Sequence, residues 1–508
     1  MTLFRSGVVL ALFTLISRVF GLARELFVAW LFGATNLADC VNVAFKLPNL
    51  FRRIFGEGAL SVVFVPMFNK KYLESHTAAR HFTGKIFTIL LISLVLIVTL
   101  MVIFMPNMMF IIAPGFHEDH EKFTLTVILC RITMPYLVFI SVTALFGAIL
   151  NSVKRFAVFA FSPVIMSITI IFATLILEKH LSAQISISVS LLIAGVLQII
   201  FMFYFISKVG LTFPLIFDPF NKDVRQFLSK MGPATISSGV QQLNLFISQS
   251  IASFIEGAIS ILSYADRIYQ FPLSIIGVTF GTILLPELSK IYQVNDLARA
   301  SKLQNNAVKI GLLLSLPATF GIIALSEPII HVIYERGAFT SEDTIKTAAA
   351  ISAFALGLPA FILTKILLPI LYAHQDTKTP LKITLYSLAA NTVLNLLLMK
   401  PFGHVGIALG SSIAAWYNVW LLYNYTKKNN FFSIDSSFGS FLGKVFLSCI
   451  LMTLVICIIQ HYYNECFYSP HLFTKFITLG SAIVAGVVTF FSTAFLFKLY
   501  PASKELSQ

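Results

Sequence analysis

Polar residues break the apolar background of this chain at regular intervals, and the breaks are densest in its first two apolar stretches. Between Ser17 and Pro66 two runs, each long enough to cross a bilayer, carry Arg18, Arg24, Glu25, Asp39, Lys46, Arg52, Arg53 and Glu57. A charge at membrane depth costs roughly 2.5–3.5 kcal/mol even on the lenient insertion scale. Eight in two consecutive spans call for hydrated surroundings. Their spacing is ordered: Asp39, Lys46 and Arg53 recur every seven residues, with Asn42 and Asn49 three after the first two. On a helix that is one polar stripe. Arg18 and Glu25 share a face by the same spacing, and Ser17 with Arg24 forms the stripe beside it. The pattern predicts two helices lining a cationic, hydrated interior.

Apolar runs of about 20 residues place further spans, giving in all 7–32, 37–69, 84–105, 123–150, 157–177, 184–207, 226–254, 258–289, 306–334, 345–373, 379–399, 404–425, 440–460 and 472–497. That is fourteen. Basic residues then alternate loop by loop. Groups such as Lys70, Lys71, Arg80 and Lys85, or Lys427, Lys428 and Lys444, fall on one side; Lys122, Lys179, Arg336, Lys346, Lys400 and Lys475 fall on the other. The asymmetry exceeds three to one and, by the positive-inside rule, puts both termini in the cytoplasm.

The chain also repeats itself. Phe45-Lys46-Leu47-Pro48 matches Tyr269-Gln270-Phe271-Pro272, Pro135 matches Pro359 and Lys154 matches Lys378, all at an offset of 224 residues. Six crossings separate the copies, so the halves share an orientation and a pseudo-two-fold runs along the membrane normal, with the transport site between them. Prolines inside apolar runs, among them Pro48, Pro66, Pro163, Pro233, Pro272 and Pro286, favour kinks. As a set they fit a transporter that rocks or bends.

Composition narrows the class. The 508 residues are 57% hydrophobic and 11% charged, against roughly 25% charged in soluble domains, and the mean hydropathy is +0.87. These are the values of a polytopic membrane protein. The net charge of +14 reflects basic cytoplasmic loops, not nucleic-acid binding. Five cysteines show no paired spacing, hence no disulfide framework or metal site. Arg18 and Arg24 interrupt the opening segment, which does not read as a cleavable signal.

Guanidinium suits phosphate: its planar fork bonds in pairs and keeps its charge when desolvated. Several arginines facing one cavity point to an anionic ligand with more than one phosphate, with Glu25 and Asp39 offsetting part of the field. In span 8, Ser263, Arg267, Gln270 and Ser274 make a second polar face, while Asp266 and Arg267 could equally form a structural pair. Lys365 is a lone mid-span cation whose role the pattern leaves open. His117-Glu118-Asp119-His120 reads as a solvated loop, not a metal site. No phosphate-binding glycine loop or hydrolase motif appears. Spans 13 and 14 are apolar nearly all round, suited either to lipid-facing packing or to a groove for a long acyl chain.

The combination resembles the MurJ/MviN family of flippases for the peptidoglycan precursor lipid II. It is carried by Ser17-Arg18-Val19-Phe20-Gly21-Leu22-Ala23-Arg24-Glu25, by Ala44 to Phe55 with its Lys46-Leu47-Pro48-Asn49-Leu50 and Arg52-Arg53 pieces, by Gly58-Ala59-Leu60-Ser61, Ala113-Pro114-Gly115-Phe116, Tyr264-Ala265-Asp266-Arg267, Gly281 to Pro286 and Gln375 to Pro380. The resemblance implies fourteen helices in the fold of the multidrug/oligosaccharidyl-lipid/polysaccharide exporters, with the last two forming a hydrophobic groove that feeds a central cavity. It implies that Arg18, Arg24, Arg52, Arg53 and Arg267 are cavity arginines, Arg24 and Arg267 nearest the pyrophosphate, and that Asp39 is an essential acidic partner. Glu25 stands where relatives often have Asp, which keeps the charge. Gln270 stands where some carry Glu, which puts any cation-coupling role there in doubt.

The expectation is therefore an all-α polytopic membrane protein of about 14 transmembrane helices: an N-lobe over 1–210, a C-lobe over 211–430 and the C-terminal pair over 431–508. It moves lipid II across the inner membrane by alternating access and is not an enzyme. Substrate binding falls to Arg18, Arg24, Arg52, Arg53 and Arg267, with Glu25, Asp39 and Asp266 as charge partners and Ser17, Lys46, Gln270 and Lys365 as secondary candidates. The partners are lipid II and membrane lipids, with association with the cell-wall synthesis machinery left open. No cofactor is called for, and the candidate energy sources are the membrane potential or a monovalent cation. An exporter of drugs or of another polysaccharide-lipid is the competing transporter reading; cationic drugs would want an acidic or apolar cavity. A membrane glycosyltransferase would want clustered acidic or metal-binding residues at a membrane face, and none stands out.

Overall fold

The computed structural model describes residues 3–53, 60–294 and 296–499, so Glu57 lies outside the described residues. Among the described residues every regular element is helical. Nine stretches of them are long and apolar enough to cross a membrane. These are α4 (His76–Ile103), α6 and α7 together (His120–Thr133, Tyr136–Ser152), α8 (Phe156–Leu177), α9 (Ala183–Lys208), α12 (Leu297–Ala324), α14 and α15 together (Ser341–Ala355, Leu358–Ala373), α16 (Lys378–Lys428), α17 (Phe438–Tyr462) and α19 (Leu472–Leu496). The remaining predicted spans are covered by α1 (Leu3–Phe32), α2 (Asn36–Phe51) with α3 (Ser61–Glu74), α10 (Lys222–Ala252) and α11 (Ala258–Gln293). Short helices α5 (Met105–Ile112), α13 (Ser326–Tyr334) and α18 (Asn464–Phe467) lie at connections.

Local chemistry sets the breaks. Gly33, at φ +61°, ends α1 in a conformation that side chains disfavour, and Thr35 caps α2 by accepting the Ala38 N–H. α16 is 51 residues long. At 1.5 Å per residue that is more than twice the thickness of a hydrocarbon core. Its backbone leaves the helical region at Gly403, with φ 56° and ψ −134°, and past that kink a Cβ on Gly406 would run into the Leu398 carbonyl. The two limbs fold back on each other, as the sequence reading of two spans requires.

By its internal contacts the chain divides into Met1–Ile259 and Ser260–Gln508. In the first unit α8 pairs with α9 and α1 lies on α8. Thr174 of α8 donates to Ser190 Oγ of α9 at 3.1 Å, the polar glue expected between membrane helices. Phe64, Phe68 and Phe82 stack in the core of α3 and α4. α10, which the sequence reading starts the second lobe with, packs on α3, α4 and α5 within this first unit.

The repeat has a structural counterpart. Residues 211–221 leave α9 and lie along α4. Lys85 bonds Asp218 at 2.8 Å, Arg80 donates to the Thr212 carbonyl, and the Ile216 N–H donates to Thr88 Oγ1 at 3.1 Å. Gly84 is needed there because a Cβ would meet the Pro214 carbonyl. In the second unit the segment leaving α16 is tied to α12 in the same way: Lys309 bonds Asp435 at 2.6 Å and Asn305 donates to the Ser433 carbonyl at 3.0 Å. Lys85 and Lys309 are 224 residues apart, the offset of the repeat. Pro135 and Pro359, also 224 apart, each stand where a predicted span is split into two helices.

Candidate functional site

The charges of α1 and α2 do not share one environment. Arg18 and Arg53 are exposed, Ser17, Arg24, Glu25, Lys46 and Arg52 are half-buried, and Asp39 is fully buried. The predicted stripe Asp39–Lys46–Arg53 is thus a gradient that opens toward the C-terminal end of α2. Asn42 and Asn49 turn back on their own helix, donating to the carbonyls of Ala38 and Phe45. Arg52 Nε donates to Asn49 Oδ1 at 3.2 Å, and Arg53 Nη1 reaches Gln242 Oε1 at 3.4 Å.

At the buried end, Asp39 Oδ2 lies 3.3 Å from Lys122 Nζ, with side-chain exposures of 0% and 7%. Lys122 also donates to Asn36 Oδ1 at 2.6 Å and stands 4.1 Å over the Phe116 ring. The alternation of loop charges puts Lys122 in an outer loop. It belongs instead to the first turn of α6, which begins at the Asp119 cap, and it fastens α2 to α6. The neighbouring His117 and His120 are exposed, but they lie in a short 3-10 turn over Pro114–Glu118 and at the start of α6, not in an irregular loop.

Arg24 leads to a residue the sequence reading passed over, Tyr136, the first residue of α7. Tyr136 Oη is 3.0 Å from Met166 Sδ and 3.1 Å from Gln198 Oε1, and Arg24 Nη1 points at the same sulfur from 3.8 Å. Gln198 in turn donates to the carbonyl and hydroxyl of Ser162. One signal was legible: Gln198 is a lone amide in the apolar stretch of α9.

In the second unit α11 is held at a fixed rotation by its aromatic side. Tyr264 packs on Tyr334 and Phe339, and Tyr269 stacks on Phe354 at 5.3 Å. That leaves Arg267 and Gln270 exposed and Ser263 and Ser274 half-buried on the opposite side, the polar face the spacing predicts. Asp266 accepts a hydrogen bond from Gln270 Nε2, one turn on. Lys365 of α15 is exposed, and its stem lies along Gly277, ten residues beyond Arg267 on α11. A groove of about 540 Å³ between the limbs of α16 is lined by Tyr386, Ala390, Val393, Ile413 and Tyr417, with no charged side chain. The charged residues therefore form two sets, one per unit, apart from this apolar groove.

A sequence profile of the family described as Lipid II flippase MurJ matches residues 28–477. The "Probable lipid II flippase MurJ" of Rickettsia prowazekii (strain Madrid E) is 62% identical over 499 residues, covering 98% of each chain. The chain belongs to the MurJ lipid II flippase family. A more distant MurJ relative, the "Lipid II flippase MurJ" of Burkholderia cenocepacia, is 34% identical and covers 91% of this chain and 90% of its own length. Among solved structures, "Lipid II flippase MurJ, inward closed conformation" superposes with a TM-score of 0.78 at 29% identity, covering 96% of this chain and 98% of that one. An inward-facing multidrug transporter of the MATE family matches with a TM-score of 0.67 at 13% identity, a likeness of fold alone. The chain is thus a multi-pass helical membrane protein of the MurJ family.

Proposed function

We propose that this chain carries lipid II from the cytoplasmic to the outer leaflet of the bacterial inner membrane by alternating access, for cell-wall synthesis. The observation that carries the proposal is Arg24 of α1, half-buried and 3.8 Å from the Met166 sulfur, with Arg52 half-buried at the end of α2: guanidinium groups suited to phosphate in the membrane-spanning part of a MurJ-family chain. Arg267 supplies the corresponding group in the second half. Arg18 and Arg53 add positive field, with Glu25, Asp39 and Asp266 as charge partners. Ser17, Lys46, Gln270 and Lys365 are secondary contacts. Charge-assisted hydrogen bonds are worth roughly 1.5–3 kcal/mol each. A pyrophosphate bound by these arginines shifts the conformational balance by its differential affinity for the two states. No covalent step is needed.

In this proposal the chain crosses the membrane fourteen times with both termini cytoplasmic. The working lobes are 1–210 and 211–430, and α17 and α19, in 431–508, take the isoprenoid chain in an apolar groove. The membrane potential or a monovalent cation supplies the energy. The bond from Gln270 to Asp266 means that any coupling at that turn uses Asp266 and not a second carboxylate. An exporter of cationic drugs is disfavoured by the arginines. Depletion of the protein in cells tests the proposal: lipid II accumulates in the inner leaflet if it holds, and a leaflet distribution unchanged by depletion contradicts it.

A further inference from the structure

We propose that Tyr136 is a positioning residue for Arg24, and that Gln198, Ser162 and Met166 complete a brace which aims the guanidinium at the pyrophosphate. The inference rests on the pyrophosphate reading above. It begins with Ser162, whose carbonyl can only accept. Gln198 must therefore turn its Nε2 toward that carbonyl at 3.0 Å, with Ser162 Oγ at 2.9 Å. Its Oε1 then faces the phenol of Tyr136 at 3.1 Å. A phenol has one proton, and Tyr136 shares it between Gln198 Oε1 and the Met166 sulfur, 3.0 Å from the phenol oxygen. The second lone pair of the sulfur is left for an N–H donor. That donor is Arg24 Nη1, 3.8 Å away. A thioether is neutral, so this contact orients the guanidinium without taking up its charge.

The brace is built, not incidental. Tyr136, Ser162 and Gln198 are 1%, 2% and 1% exposed, in a part of the molecule where an unsatisfied polar group costs several kcal/mol. Four helices, α1, α7, α8 and α9, each contribute one or two of its members. Gly195, one turn before Gln198, makes room for it: a Cβ there would come within 2.9 Å of the Tyr136 ring and 2.6 Å of the Phe139 ring. Residues that would pack such a core without polar atoms are replaced here by a chain of bonds that ends on a candidate substrate arginine.

The test is a double-mutant cycle on lipid II binding by the purified full-length protein in nanodiscs. Tyr136→Phe keeps the ring and removes the hydroxyl; Met166→Leu keeps the volume and removes the acceptor. Each raises Kd about 3- to 10-fold, the worth of one ordinary hydrogen bond; Tyr136→Phe also lowers Tm, because Gln198 Oε1 loses the phenol, whereas Met166→Leu leaves Tm unchanged. In an Arg24→Ala background neither raises it further, because the group they aim is gone. A merely structural role would produce the same loss in both backgrounds, and that result overturns the inference. Wild-type affinity in Tyr136→Phe, with binding lost in Arg24→Ala, overturns the inference alone. Wild-type affinity in Arg24→Ala overturns it together with the pyrophosphate reading.

Discussion

Removing the ammonium of Lys122 takes its ion pair from the carboxylate of Asp39, which is 0% exposed and 3.3 Å from it. Breaking a buried ion pair from one side costs about 3–5 kcal/mol, because the remaining charge has no solvent to turn to. Neutralising both members costs far less, since the desolvation penalty disappears with the attraction. Lys122→Met, which keeps the length of the side chain, therefore destabilises the protein by about 3–5 kcal/mol. The double variant Lys122→Met with Asp39→Asn stays within about 1–2 kcal/mol of wild type, the residue being the lost bond to Asn36 and the lost contact with Phe116. For a unit of this size roughly 2–4 °C of Tm accompany each kcal/mol, so the single variant loses roughly 6–20 °C. Thermal unfolding of the detergent-purified protein, followed by loss of the monodisperse species, reads this directly. If the single variant is no less stable than the double, the two charges are not coupled and α2 is fastened to α6 by something else.

Other consequences are measurable. A distance probe between residues of the two halves reports ligand-induced closure: Arg267→Ala abolishes the change on adding lipid II, and a variant that still closes makes Lys365 the next candidate. Asp218 is held below the usual carboxylate range, chiefly by its hydrogen bond from Lys85. A depressed carboxylate contributes stability that is full above its unfolded pKa, about 3.9, and lost as pH falls through the lower folded value. Hydrogen-exchange protection of segment 211–221 is accordingly flat from pH 7 to about pH 5 and falls only under stronger acid; an Asp218→Asn variant with the same acid response would exclude this pair as its source. Tags inserted near Lys70 and Lys427 report cytoplasm and one at Glu118 the periplasm; a periplasmic signal at Lys427 removes the fourteen-span proposal.

The helical membrane class and the polar face of α11 were legible because a bilayer leaves so few solutions: long apolar runs must be helices, and seven-residue spacing must be a face. The paired Lys85–Asp218 and Lys309–Asp435 ties give the 224-residue repeat a physical meaning that three sequence anchors only suggested. Periodicity failed where tertiary partners decide. Asp39 and Lys46 share a stripe by spacing, yet Asp39 faces Lys122 from another helix while Lys46 does not share its burial, and no pattern local to α2 encodes that. Spacing puts Lys122 in a loop because it sits at the edge of an apolar run; the Asp119 cap starts α6 before it and brings it inside. Tyr136, Gln198 and Met166 come from three separate helices, and their convergence on Arg24 exists only in three dimensions.

The central claim is tested most directly by purified protein reconstituted into vesicles with fluorescent lipid II under an imposed membrane potential and monovalent-cation gradient, scored for the fraction reached by a membrane-impermeant quencher over time. The account predicts exchange between leaflets above that of protein-free vesicles, abolished by Arg24→Ala at equal protein content. Exchange that is no faster than in protein-free vesicles, or that is equally fast with Arg24→Ala, contradicts it.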